Sequence, residues 1–177
     1  MTRYVVLLRG INVGKAKRIA MADLRTLLAE LGFTEVKTHL QSGNAVVTGD
    51  DDEPAALAAR IGGAIAERFG FEVRCVVLTG PQLQAVIDAH PLADVATDGA
   101  KMLALFLSAD PDPALLAAHD PLELDPDRAR LGPRVIYQWC PDGVLAAPPV
   151  AGFAEKHLGV TVTGRNWNTV TKLATFL

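Results

Sequence analysis

Three short stretches of the chain combine a compliant backbone with cations and hydrogen-bonding side chains. In Arg9-Gly10-Ile11-Asn12-Val13-Gly14-Lys15 two glycines lie between two bases. Such a loop can cradle an anion with backbone N–H groups while the cations neutralise it. Gln41-Ser42-Gly43-Asn44 has the composition of a tight turn with an amide at each end. Thr163-Gly164-Arg165-Asn166-Trp167-Asn168-Thr169-Val170 reads as a helix start, capped by Asn166 or Asn168, with Arg165 beside it. Unbonded N–H groups at a helix start attract negative charge. The chemistry these residues share is capture of a phosphate-bearing small molecule, a nucleotide or a sugar phosphate. The expected ligand contacts are Arg9, Gly10, Asn12, Gly14, Lys15, Gln41, Ser42, Asn44, Arg165, Asn166, Trp167, Asn168 and Thr169. Arg9 and Arg165 would clamp the anion, Asn12 and Asn166 orient it, and Trp167 stack on it.

Other chemistries fail on spacing. Gly10 to Gly14 leaves three residues where the nucleotide-binding P-loop needs four, and Ala16 stands where a Ser or Thr would hold magnesium. Ser42 lacks the glycine two positions earlier that a nucleophile elbow requires. His39, His90, His119 and His157 are scattered and Cys75 and Cys140 stand alone, so no metal site is expected. No general base has an evident partner, so the reaction class, the cofactor and even whether the protein is an enzyme stay open at this level.

Formal net charge is −3 over 177 residues, so no global field draws in nucleic acid or an anionic membrane, and such a partner would need a local patch. One exists: residues 1–22 hold Arg3, Arg9, Lys15, Lys17 and Arg18 and no acid. Single-stranded RNA bound on a sheet face would need stacking aromatics on the central strands, and the first strand offers only Tyr4. We therefore expect neither nucleic acid nor membrane as partner. Two cysteines inside apolar stretches suit a reducing cytoplasm, and no apolar run reaches the eighteen residues of a membrane span.

The elements that must position these residues follow from periodicity. Arg3–Leu8 is apolar on both faces, as a central strand is. Met21, Leu24, Leu27, Leu28 and Leu31 recur at helical spacing before Gly32. Val36, Thr38 and Leu40 alternate with polar residues and turn through Ser42-Gly43-Asn44 into a strand over residues 45–48. A helix opens at Pro54 and ends at Gly70, and Phe71, Val73, Cys75 and Val77 share a strand face. The order βαββαβ over residues 1–78 is that of a ferredoxin-like α+β sandwich. Residues 79–177 are expected to form a second, smaller and less regular unit of the same type, closely packed on the first. It comprises a helix ending at His90-Pro91, a strand over 102–108, a short helix at Asp112-Pro113, strands near 122–124 and over 134–139, and helices over 150–158 and from Trp167.

Arg9-Gly10-Ile11-Asn12-Val13-Gly14, Gln41-Ser42-Gly43-Asn44 and Arg165-Asn166-Trp167-Asn168-Thr169, taken together and in order, resemble the bacterial domain-of-unknown-function family numbered 1697. The resemblance covers nearly the whole chain and implies an α+β protein of two ferredoxin-like parts. Two departures stand out. Lys15-Ala16-Lys17 replaces the glycine, lysine and asparagine that relatives carry there, and Ala146-Ala147-Pro148-Pro149 replaces an Arg-Ser-Lys stretch. The alternative to ligand binding is an interaction or structural module in which the same motifs hold the two subdomains together.

Overall fold

The computed structural model describes residues 1–177. They fall into two units, Met1–Gln84 with Leu173–Leu177, and Ala85–Lys172. The sequence division at 78/79 lies a few residues earlier and leaves the C-terminal residues with the second unit. The last residues group with the first unit because Arg3 donates to the Phe176 carbonyl. The Phe176 ring also lies 5.5 Å from Lys37 Nζ and 6.4 Å from the His39 ring.

The first unit runs β1 (Thr2–Leu8), α1 (Met21–Glu30), β2 (Thr34–His39), β3 (Asn44–Gly49), α2 (Pro54–Phe69), β4 (Cys75–Thr79) and α3 (Gly80–Asp88), the last crossing the division between the units. Its antiparallel sheet has the order β2-β3-β1-β4. β1 is central, which explains its two-sided burial. Tyr4, Val6 and Leu8 join the core that takes in Leu24 and Leu28 of α1 and Ile61 and Ile65 of α2, while Val5 and Leu7 on the other face are buried as well. α1 stops where Gly32, at φ +95°, donates to the Ala29 carbonyl and Phe33 donates to Leu28, the paired bonds of a Schellman stop. β4 begins four residues later than expected at Phe71. The register with β1 starts at Leu8↔Cys75, so residues 71–74 lie beyond the end of β1 and lack that ladder partner.

The second unit runs β5 (Met102–Leu107), α4 (Pro113–Ala118), β6 (Ala129–Gly132), β7 (Val135–Trp139), α5 (Val150–His157), β8 (Val162–Asn166) and α6 (Trp167–Ala174), whose end crosses back to the first unit. Its order, β6-β7-β5-β8, repeats that of the first sheet strand for strand. The protein is therefore α+β, with two four-stranded antiparallel sheets and six helices. No helix is long and apolar enough to cross a membrane.

Two expectations for this unit are corrected. Pro121–Leu124 is a 3-10 turn, because Asp120 accepts the Leu122 N–H at 2.9 Å and the proline fixes its first residue. The strand lies instead at Ala129–Gly132. The segment before Trp167 is the edge strand β8, so Arg165 is a strand residue and only Asn166 stands at the helix start.

Candidate functional site

The loop that follows β1 is shaped by left-handed residues, Gly10 at φ +71°, Asn12 at +55°, Gly14 at +69° and Lys17 at +52°. Asn12 is the side chain that closes it. Its Nδ2 donates to the Ile19 carbonyl at 2.8 Å and its Oδ1 accepts the Ile19 N–H at 2.9 Å. The same Nδ2 donates to the Gln41 carbonyl at 2.7 Å, tying the loop to the β2–β3 turn. Arg18 adds a second clasp, with Nη1 reaching the carbonyls of Asn12 and Gly14 at 3.4 and 3.2 Å. Asn12 was expected to orient a ligand; its amide is committed to holding backbone.

The Gln41–Asn44 turn packs directly on this loop. Leu8 donates to the Gly43 carbonyl at 2.8 Å, and a Cβ on Gly43 would stand 2.7 Å from Leu8 Cβ and 2.9 Å from Ile11 Cδ1. Only glycine fits here, at φ +89°. Asn44 is fully buried and donates to the His39 carbonyl and to Ser42 Oγ, closing the hairpin. Gln41 and Ser42 stay exposed.

Around these two segments stand the exposed heads of Arg9, Lys15, Lys17 and Arg18, with Arg74 alongside because its carbonyl accepts the Arg9 N–H at 2.9 Å. Arg74 was not anticipated. It is 65 residues from Arg9 and reaches this end only through the antiparallel pairing of β1 and β4. In sequence Arg18 stands only as part of a basic run, since its partner carbonyls are invisible there. The loop end is thus a polar, cationic surface held in shape by side-chain clasps.

Arg165–Thr169 lies in the second unit. Arg165 is buried on the face of β8 beside Ala104, its cross-strand partner. Its Nη1 donates to Thr163 Oγ1 at 2.8 Å and to the Gly164 carbonyl at 2.9 Å, and burial pushes the guanidinium down to about 10. Asn166 Oδ1 accepts the Thr169 N–H at 3.0 Å, the cap expected of one of the two asparagines. The Trp167 ring lies 4.3 Å from His90 and 6.3 Å from Tyr137, the Trp167 backbone N–H donates to the Gly99 carbonyl at 3.0 Å, and Asn168 packs where a side chain on residue 99 would stand. Thr169 is buried.

The thiols are core groups. Burial pushes Cys75 up to about 12; for Cys140 burial, then Asp125, raises it to about 11.

A clasped basic loop on a βαββαβ sheet unit, followed by a second unit of the same strand order, defines a duplicated α+β architecture with an exposed basic loop at one end of the first sheet. The chain belongs to the family described as protein of unknown function (DUF1697), whose model matches residues 1–137. It is similar to a solved structure, that of the conserved bacterial protein SP0830 from Streptococcus pneumoniae. The two are 27% identical, with 99% of this chain and 98% of that chain covered and a TM-score of 0.74. No curated protein matches it.

Proposed function

We propose that the first unit binds a phosphate-bearing small molecule, a nucleotide or sugar phosphate, at the Arg9–Arg18 loop and the adjoining Gln41–Ser42 turn. The observation that carries this reading is the clasped loop itself. Arg18 is pinned over two carbonyls while Lys15 and Lys17 project into solvent from a segment without acids. Pre-shaped cations spare a ligand the cost of ordering the loop. Gln41 and Ser42 supply the hydrogen bonds that would distinguish one phosphate ester from another.

The βαββαβ order and matching strand order of both sheets favour two ferredoxin-like sandwiches as the scaffold. The two unpaired core thiols favour the cytoplasm as the working compartment.

The test is thermal unfolding of the protein with nucleotides, sugar phosphates and sulfate. A ligand at about 100 times its dissociation constant adds roughly 2.7 kcal/mol, a rise of roughly 5 to 10 °C for a chain of this size. The rise should vanish in a Lys15→Ala/Lys17→Ala protein whose unliganded melting is unchanged. Failure of every phosphate compound to shift a cooperative transition sinks the reading.

The burial of Arg165 favours a structural role for the Arg165–Thr169 segment, as sheet filler, helix cap and aromatic packing, and this leaves the anion to the first unit's loop.

A further inference from the structure

The same loop end carries two large apolar side chains with no place in a site for a small polar ester. Val13 is 74% exposed and Leu40 is 55% exposed. They are the chain neighbours of Asn12 and Gln41, which a hydrogen bond joins, so both lie at the same end of the unit. Single exposed aliphatics are ordinary. Two on segments tied to each other, one of them in the loop that also exposes Lys15, Lys17 and Arg18, are not.

The basic loop and an acidic connection also lie at opposite ends of β1. The β3–α2 connection, Asp50-Asp51-Asp52-Glu53, lies at the far end of β1, where Thr2 pairs with Gly49 and Tyr4 Oη donates to the carbonyls of Asp50 and Asp52. β1 has seven residues, so the acidic and basic ends stand about 20 Å apart at about 3.4 Å per residue. The nearest acids in sequence to the basic end are Asp23, in the first turn of α1, and Glu72, before β4. A unit polarised in this way turns its loop toward a negative surface and its acidic end away from it.

We propose that the Val13/Leu40 tip is a docking surface for an anionic phospholipid bilayer, with the two aliphatic side chains entering the headgroup boundary and the flanking cations set against lipid phosphates. The inference shares its cations with the anion site proposed above and adds the apolar pair. The overall charge of −3 argues against a membrane partner only when averaged over the chain; the local patch is what a bilayer meets, because charges farther than about 10 Å are screened at about 0.1 M salt. Among macromolecular anions, lipid is favoured over nucleic acid because loop and turn present aliphatic tips and no aromatic ring to stack on a base.

The test is co-sedimentation of the full chain with vesicles of equal parts phosphatidylglycerol and phosphatidylcholine, with pure phosphatidylcholine vesicles, and with a single-stranded oligonucleotide as competitor. The chain should pellet with the anionic vesicles only. Lys15→Gln and Lys17→Gln should each weaken binding about fivefold, the usual effect of one basic residue near an anionic leaflet. Val13→Asp and Leu40→Asp should weaken it further while leaving the melting temperature unchanged, since both side chains are exposed. No pelleting with anionic vesicles, equal pelleting with neutral ones, pelleting insensitive to Val13→Asp and Leu40→Asp, or tighter binding of the oligonucleotide overturns the inference. Glycerol phosphate separates the two proposals. A thermal shift with it but no vesicle binding overturns this one alone, and silence in both arms removes both.

Discussion

Asn12 and Ile19 face each other as one residue's side chain and another's backbone, bonded in the two-way pattern of an antiparallel strand pair. The carboxamide gives its N–H to the Ile19 carbonyl and takes the Ile19 N–H in return. No shorter or purely acceptor side chain can do both. Asn12→Ala should therefore destabilise the protein by about 1–3 kcal/mol, the usual cost of leaving polar partners unmade. Asn12→Asp should recover only part of this, since a carboxylate accepts and cannot donate. Urea denaturation checks both; variants as stable as the parent would show that the loop does not depend on the clasp.

Two glycines separate space from backbone freedom. Gly43→Ala puts a methyl group 2.7 Å from Leu8 Cβ at a positive φ, and a cost of about 1–3 kcal/mol is expected from overpacking and strain. Gly63 lies inside α2 with nothing within 4 Å of an added Cβ, so Gly63→Ala should stabilise by about 0.5–1 kcal/mol. Opposite signs from the same chemical change, read as denaturation midpoints, would confirm both environments.

These contrasts mark how far the sequence could be read. β1 and α1 were legible because burial imposes its period directly on residue type: Val5 to Leu8 run apolar because both faces are covered, and Gly32 announces the end of α1. β8 was illegible because Gly164 and Arg165 break the apolar pattern, although Arg165 is buried. The 122–124 segment alternates like a strand, yet the local Asp120 cap and Pro121 decide its conformation. At the candidate site, residue types and loop positions could be read from sequence. The partners could not, since Asn12 bonds residues 7 and 29 positions away and Arg74 arrives through the pairing of β4 with β1.

His90 should make stability depend on acidity. Its ring is stacked on Tyr137 and tilted against Trp167, its Nδ1 accepts the Leu92 N–H at 3.3 Å, and burial holds its pKa below the usual 6.5. The unfolded chain then binds the proton more readily than the folded one, so stability falls as pH drops below about 6.5 and levels off once the folded ring also titrates. Urea midpoints across this range should show the decline, with a shallower slope in His90→Phe. His157, pushed down by desolvation and then by His119 and Lys156, adds a slope of the same sign. An unchanged slope in His90→Phe would show that the ring does not titrate in this window.

Neither thiol should react in the folded protein. Cys75 is held near 12 by burial, with its sulfur 3.1 Å from the Ala58 carbonyl, and Cys140 is held near 11. The thiolate is the nucleophile, and at about pH 8 almost none is present at either site. Iodoacetamide should label two cysteines in denaturant and none without it on the same timescale. Rapid native labelling of Cys140 would instead point to an opening near Pro141.

Arg165 is the residue on which the ligand and structural readings of the C-terminal motif part company. A guanidinium that only clamps an anion can be removed with little effect on the unliganded fold. The guanidinium here is buried, donates to Thr163 Oγ1 and the Gly164 carbonyl, and fills space beside Ala104. Arg165→Ala leaves both acceptors without that donor and opens a void, so a loss of about 2–5 kcal/mol is expected. Arg165→Lys should lose part of this, since one ammonium cannot reproduce the planar fork. Arg165→Met should come closest to the parent in stability, because replacing a buried charge by an apolar chain of similar length removes the desolvation cost together with the bonds. Urea denaturation ranks the three, and phosphate-ligand titration of Arg165→Met shows whether binding survives where the fold does. Unchanged stability in Arg165→Ala together with lost phosphate binding would return Arg165 to the ligand site.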